Sequence, residues 1–221
     1  MNRILLASIA VPALLAAGLG TALAGEKLLK LQIGTVRLIL PLPQGFCKPT
    51  GAMLESAQAN AAFDERNFTL ATLIACDRTP LIAPWGNYVL VKVPKSAIGS
   101  TFPKGEFLDA LDKSARGPDD IISNEKMSAD VANDSERVWG QRIEMHSKFE
   151  YAGRDRDCVY LAGPFQRNIA GSDNVTSGQA ATCMTVVGGR FFAVNVYEIP
   201  AVQPISDLKQ QAHRIALSIH R

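Results

Sequence analysis

Histidines and recognisable catalytic motifs are scarce in this 221-residue chain. It has three histidines, His146, His213 and His220. It lacks a Gly-x-Ser-x-Gly elbow, a His-Glu-x-x-His motif and a Gly-rich phosphate loop followed by Lys. These absences argue against enzymes that carry such motifs, but catalytic triads occur in several chain orders, so a site assembled only in three dimensions stays open. The sequence predicts no cofactor and no metal.

A large excess of either charge is also missing. Lys and Arg number 23, Asp and Glu number 21, and Arg3 is the one charge within residues 1–24. Without that segment, 22 basic residues face 21 acidic ones, a net charge of +1. Nucleic acids and anionic membranes attract proteins with clustered Lys and Arg, and no such cluster is present. We therefore expect no nucleic-acid partner.

The first 24 residues have the features of a signal peptide. Arg3 precedes an apolar stretch, and Ala22-Leu23-Ala24 is a small-x-small cleavage pattern. We expect cleavage after Ala24, one mature domain of residues 25–221, and a periplasmic or secreted location with no stable membrane span. The alternative is a retained anchor, because an uncharged segment of about 20 residues can cross a bilayer.

Four cysteines remain in the mature chain, and none belongs to a Cys-x-x-Cys pair. An even number of cysteines in an exported protein predicts disulfides. Of the three connectivities we favour the sequential one, Cys47 with Cys76 and Cys158 with Cys183, because each pair flanks a compact unit. A zinc site is the competing interpretation, but the cysteines are far apart and no histidine is near them in sequence.

Apolar periodicity predicts a series of strands and helices. The predicted strands are 28–40 (one strand, or a hairpin bent at Gly34), 67–76, 85–93, 142–151, 157–162, 181–187 and 190–198. The predicted helices are 52–63, 102–116, a short helix near 130–139, and 206–220 capped by Ser206. A polar excursion is predicted at 119–137 and a loop at 163–178. Strands and helices that do not alternate strictly predict a single α+β domain, mainly an antiparallel sheet flanked by helices.

The histidines and charged turns suggest few functional groups. His213 and His220 are seven residues apart on the last predicted helix, so a metal pair is conceivable; we favour solvated residues near a helix C-terminus. His146 is predicted to face outward from a strand. The run 154–157 alternates Arg and Asp, which is typical of a solvated hairpin turn. Residues 117–120 are interpreted as a plain turn rather than a calcium loop.

Four aromatic residues are attributed to core packing, although together they could line a pocket. They are Trp85, Trp139, Tyr151 and Tyr160. An enclosed apolar pocket lined by Trp85 or Tyr88 would instead indicate a small-ligand carrier.

Both ends of the mature chain resemble PsbP-like α/β/α sandwich domains. Residues 36–46 (VRLILPLPQGF) resemble the strand, Pro, Gly and aromatic opening of that family, and residues 189–197 (GRFFAVNVY) with the helix 206–220 resemble its closing strand and helix. The resemblance implies an antiparallel sheet with helices on its faces, in a domain that serves as an accessory or binding module. The four cysteines and the polar middle depart from the family, and no functional residue is carried over.

The leading expectation is therefore an exported, non-enzymatic accessory or binding module of the cell envelope. Its partner would be an envelope protein or a small ligand, held by an uncovered sheet face or by residues 119–137. The alternative is an exported hydrolase, for which His146 would have to lie in a pocket, bonded to an acid and near a serine.

Overall fold

A computed structural model describes residues 28–76, 86–117 and 124–221, with the backbone alone at 124–127, 134, 138 and 139. The predicted signal peptide, residues 118–123 and Trp85 lie outside the described residues. In the part of the chain that is described, none of the helices is both long and apolar enough to span a bilayer.

The described chain is a single α+β domain, as predicted. Its strands are β1 Leu28–Ile33, β2 Val36–Pro41, β3 Phe46–Cys47, β4 Asn67–Ala75, β5 Tyr88–Pro94, β6 Ile143–Ser147, β7 Glu150–Arg154, β8 Val159–Ile169, β9 Thr176–Val187 and β10 Arg190–Glu198. Its helices are α1 Ala52–Phe63, α2 Lys104–Ala115, α3 Asn124–Trp139 and α4 Ile205–Ser218, with a short 3-10 helix at Lys95–Ala97.

Eight of the strands form one antiparallel sheet in the order β3-β4-β5-β10-β9-β8-β6, with β7 also paired to β8. The remaining two, β1 and β2, form a separate hairpin that turns at Gly34, where φ is +57°. Side chains alternate between the two faces of a strand, so each face of the large sheet can bury its own layer. Helices cover both faces.

The first face of the sheet, here called the α4 face, holds most of the core. Helix α4 and the β1–β2 hairpin pack against it and exclude water from one contiguous apolar cluster. Members of this cluster include Leu31, Leu38, Val89, Val91, Cys158, Tyr160, Cys183, Phe192, Val194, Leu208, Ala212 and Ile215. The stripe Leu208, Ala212 and Ile215 is the one that the sequence predicts for packing on the sheet.

The opposite face, here called the α2 face, holds two smaller clusters. Leu108 of α2 is fully buried against Val159, Leu161 and Met184. A second cluster is centred on Phe165, Ala180 and Ile199 and includes partly buried aromatic rings. Splitting the apolar residues in this way leaves polar side chains between the clusters, where Thr182 Oγ1 donates to Asn195 Oδ1 at 2.8 Å.

Two strands stand where the sequence predicts one continuous strand at 142–151. The chain continues past Ser147 in the same direction along β8, so β6 pairs with the second half of β8 and β7 with the first half, and the strand is interrupted only at residues 148–149. Gly163 of β8 lies beside this interruption, where a Cβ would come within 1.9 Å of the carbonyl oxygen of Lys148. The prediction of one strand is confirmed in position and missed this interruption, because the contact depends on a residue distant in sequence.

The predicted loop at 163–178 was also mostly wrong. β8 continues to Ile169 and β9 already begins at Thr176, so only residues 170–175 connect them. Gly163 and Gly178 suggest a loop by composition, but glycine inside a strand also occurs where another chain segment approaches closely. Gly178 is such a position, since Phe165 and Ile199 side-chain atoms lie within 2.9 Å of its virtual Cβ.

Helix boundaries differ from the predictions in two places. α3 has 16 residues and begins at Asn124, so it is longer than the short helix predicted near 130–139. α4 begins after Pro204 with no side-chain cap, so the prediction that Ser206 caps it was wrong. α4 also ends at Ser218, which leaves His220 outside the helix.

Candidate functional site beside the Cys158–Cys183 disulfide

Both predicted disulfides are present, with the sequential connectivity. The Cα atoms are 5.0 Å apart for Cys47–Cys76 and 5.4 Å apart for Cys158–Cys183, within the usual range for a bridge. All four cysteines are used, so none offers a thiolate to zinc. The second bridge is fully buried between β8 and β9 on the α4 face.

The turn between β7 and β8 presents a carboxylate next to this disulfide. Asp155 Oδ1 accepts hydrogen bonds of 2.7 Å from the backbone N–H groups of both Asp157 and Cys158. An aspartate that accepts from backbone N–H groups two and three residues later closes such a turn. The prediction of a hairpin turn at 154–157 is confirmed, and the turn leaves Asp155 Oδ2 to interact elsewhere.

Asp155 Oδ2 belongs to a three-residue hydrogen-bonded network. It lies 2.5 Å from Tyr160 Oη and 3.2 Å from His213 Nδ1, and Tyr160 Oη also bonds to His213 Nδ1. A carboxylate only accepts, so the tyrosine hydroxyl donates to Asp155 and the imidazole Nδ1–H donates to the tyrosine oxygen. In a neutral ring this tautomer, assigned from the network, makes His213 Nε2 the acceptor nitrogen.

The three side chains differ in their access to water. Tyr160 is 3% exposed, whereas the side chains of His213 and Asp155 are 27% and 42% exposed. Tyr160 is fixed because it lies in β8 directly opposite Cys183, and His213 is carried by α4 one residue after the buried Ala212. The network is therefore fixed in the core at Tyr160 and open to solvent at Asp155 and His213.

The environment fixes the charge on two members of the network. Burial raises the pKa of Asp155, but hydrogen bonds from Tyr160 and from the backbone of Asp157 and Cys158, with His213 nearby, outweigh it and lower that pKa overall. Burial, and then the hydrogen bond to the Asp155 anion, raise the pKa of Tyr160. At neutral pH Asp155 is thus an anion and Tyr160 a neutral donor.

Two lysines border the network. Lys209, one helical turn before His213, donates to Ala152 O at 3.1 Å, and its Nζ lies 5.0 Å from the centroid of the Tyr160 ring. Lys104 of α2 forms an ion pair of 2.6 Å with Asp157. The hydrogen bond from Lys104 is the main reason why the pKa of Asp157 is lowered, against the effect of burial.

The structure separates the three histidines. The prediction that His213 is solvated was wrong, because Tyr160 and Asp155 hold its ring. His220 does not share a helix face with it: the two backbone hydrogen bonds between His220 and Ile39 join the chain end to β2. His146 is exposed on β6, opposite Gln166, and so faces outward as predicted.

The aromatic residues of the sequence prediction occupy separate places. Tyr151 Oη donates to Asp112 Oδ1 at 2.6 Å and accepts from Arg116 at 2.8 Å, so it joins β7 to α2. Tyr88 stacks on Tyr197, with ring centroids 4.4 Å apart. Tyr160 packs in the core, as predicted, but its hydroxyl belongs to the network. Trp85 and the Trp139 side chain lie outside what the structure describes.

The chain is similar to a known protein at the level of structure. No protein-family model matches the chain. No curated protein sequence matches it. Among solved structures, the cyanobacterial PsbP (CyanoP) from Synechocystis sp. PCC 6803 is similar over 90% of this chain and 95% of its own, with 13% identity and a TM-score of 0.39. It belongs to the family that the chain ends resemble, and no function or residue role follows from a similarity of this size.

The network can bind a cation or move a proton at His213 Nε2. Sequence reasoning missed it, because 53 residues separate Tyr160 from His213 and no motif spans that distance. One signal was available: Asp155 lies in a predicted turn three residues before Cys158, which places a carboxylate beside the predicted bridge.

Proposed function

We propose that this protein is an exported, non-enzymatic accessory module of the cell envelope, periplasmic or secreted, that binds another envelope protein. The observation that carries the proposal is the use of all four cysteines in two disulfides. Such bridges form and persist in oxidising compartments and are rare where thiols are kept reduced.

Export has a direct test. The mature protein, isolated from its host, should begin at Gly25, contain two disulfides and occur outside the cytoplasm. Intact-mass measurement before and after thiol alkylation gives the first two results, and cell fractionation gives the third. A chain that retains residues 1–24, or that has four alkylatable thiols in its native compartment, would contradict the proposal.

The surface around α3 is the candidate partner surface. Arg66 pairs with Asp130 at 2.8 Å and Arg137 pairs with Glu65 at 2.6 Å, and all four side chains are exposed. Exposed ion pairs contribute little to folding, so their charges can re-pair with a partner at small cost. This is the region predicted from the polar excursion at 119–137.

An apolar side chain beside these charges supports the same surface. Phe68 of β4 is 48% exposed, and Lys95 Nζ lies 5.1 Å from its ring centroid. Interfaces commonly combine an aromatic anchor with a charged rim. Phe68 and the two ion pairs give this arrangement within one stretch of surface.

Site-specific crosslinking in the host tests the partner surface. A photoreactive residue at Glu136 of α3 should give an adduct of defined mass with one envelope protein, and the same residue at Gln210 of α4 should not. Arg66→Glu should reduce the adduct, while Lys113→Glu on α2 serves as a matched surface control. Equal adducts from positions 136 and 210, or no effect of Arg66→Glu, would count against this surface.

The alternative, an exported hydrolase, depends on His213 rather than His146. The network orients Nδ1 of His213 towards Tyr160, so in a neutral ring Nε2 is the nitrogen that could act as a general base. Screening the full chain against chromogenic esters, phosphoesters and glycosides, with His213→Ala as the comparison, tests it. Turnover that the substitution abolishes would favour the hydrolase over the accessory module.

A further inference from the structure

We infer that Asp155, Tyr160 and His213 form a binding site for a divalent first-row transition-metal ion, with Cu²⁺ the tightest-bound. The three donor atoms are Asp155 Oδ2, Tyr160 Oη and His213 Nδ1, and no two of them are farther apart than 3.2 Å. The site is separate from the α3 surface and does not depend on an envelope partner.

The donor set suits this class of metal. Imidazole nitrogen binds copper, zinc, nickel and iron, and carboxylate and phenolate oxygens add charge that a divalent ion can balance. The Irving–Williams order places Cu²⁺ above the other divalent ions at a site of mixed nitrogen and oxygen donors. Hard ions such as Mg²⁺ and Ca²⁺ prefer all-oxygen shells of higher coordination number, so the nitrogen donor disfavours them.

Binding of the metal ion conserves protons and charge and needs no redox step. The metal replaces the hydroxyl proton of Tyr160, which leaves to solvent, and the Nδ1 proton of His213 relocates to Nε2 as the neutral ring changes tautomer. One proton is released for each ion bound. The ion's two positive charges are matched by the Asp155 carboxylate and the Tyr160 phenolate, so the occupied site is neutral.

The site is held in place before any ion arrives. Two backbone N–H groups fix Asp155 Oδ1, which leaves Oδ2 pointing towards the other donors. Groups that orient the first ligands in this way raise metal affinity. Lys209 Nζ, 5.0 Å from the Tyr160 ring centroid, would stabilise the phenolate. Access is open, because Asp155 and His213 are partly exposed.

The neighbouring disulfide restricts which metals fit. The sulfur of Cys158 lies within 4.8 Å of the Asp155 and His213 donor atoms, but it is bonded to Cys183 and is not a thiolate. With the bridge intact the site offers nitrogen and oxygen only, so soft ions that require thiolate, such as Cu⁺, should bind poorly.

Titration of the disulfide-intact full chain with Cu²⁺ tests the inference. We expect a phenolate-to-copper charge-transfer band that saturates at one equivalent, and calorimetry in buffers of different ionisation enthalpy should give one proton released per ion. Tyr160→Phe should abolish the band, and His213→Asn should weaken Cu²⁺ binding at least tenfold. Zn²⁺ in excess should compete with Cu²⁺ and remove the band.

Tyr151→Phe is the matched control, because Tyr151 also donates to a carboxylate but its network contains Arg116 instead of a histidine. It should leave the band and the affinity unchanged. Circular dichroism shows that each variant is folded, and thiol titration shows that the bridge is intact. A band that survives Tyr160→Phe, one that Tyr151→Phe removes equally, or binding that appears only after reduction would overturn the site.

Discussion

Replacing Tyr160 with Phe removes one hydroxyl and leaves the ring in the core. The hydroxyl donates to Asp155 at 2.5 Å and accepts from His213. Hydrogen bonds to charged groups contribute about 1.5–3 kcal/mol, but the Asp155 side chain is 42% exposed and water can replace part of the loss. We therefore expect Tyr160→Phe to lower the free energy of unfolding by about 1–2 kcal/mol at neutral pH.

The pH dependence of this difference follows from the two pKa shifts. The pKa of Asp155 is lowered in the folded state, so its contribution is present above its ordinary value of 3.8 and is lost as pH falls through the folded value. The pKa of Tyr160 is raised, so its contribution is full below its ordinary value of 10.0 and is lost as pH rises beyond it. The stability difference between the two proteins should be largest between about pH 5 and 9.

Urea denaturation followed by circular dichroism at several pH values measures the difference. For an m-value of about 2 kcal/mol/M, the midpoint at neutral pH should fall by about 0.5–1 M. Tyr151→Phe, which alters a more exposed network, should have a smaller effect. A difference that is the same at pH 3, 7 and 11 would refute the reasoning, because neither ionisation would then be linked to this hydroxyl.

Three further substitutions test other parts of the fold. Replacing both Cys158 and Cys183 with Ala should lower the free energy of unfolding by about 3.5 kcal/mol in urea titrations, the chain-entropy value for their separation of 25; no loss would contradict it. Gly163→Ala should lower it by about 1–3 kcal/mol in scanning calorimetry, because the new Cβ would meet the Lys148 carbonyl at 1.9 Å. Glu198→Gln should lower the free energy of unfolding by about 1.5–3 kcal/mol at neutral pH, because the buried carboxylate accepts hydrogen bonds from two backbone N–H groups and from a Gln side-chain amide. Burial raises the pKa of Glu198 but these bonds lower it overall, so this cost should fade as pH falls below 4.5; a cost that persists in acid would contradict it.

The local sequence pattern was sufficient to predict the bounds of elements that are flanked by strong turn or break signals. The β10 strand, Arg190–Glu198, was predicted at its observed bounds because alternation begins directly after Gly188 and Gly189, both of which have positive φ. The α1 helix, Ala52–Phe63, was predicted at its observed bounds although it buries only Ala57. In both cases the sequence signal is local, within the element or directly beside it.

Elements shaped by distant residues were predicted less well. Strand β8 continues through Gly163, where the absence of a side chain leaves room for the backbone carbonyl of Lys148. Lys148 lies between β6 and β7 and is distant from Gly163 in sequence. The candidate site shows the same limit: Asp155 follows from a turn pattern, but its meeting with His213 depends on how α4 packs on the sheet. Periodicity predicted that α4 packs there and did not predict which residue its flank would contact.

The interruption between β6 and β7 bears on how the edge of the sheet can pair with another chain. A long exposed strand edge is a template for pairing with another chain. Here the outermost row is two five-residue strands that run in the same direction and are separated by residues 148 and 149. A neighbouring molecule that extended the sheet here would meet two short runs of backbone groups with an interruption between them, flanked by the exposed charges of Glu144, Lys148 and Glu150, and both features disfavour continuous pairing.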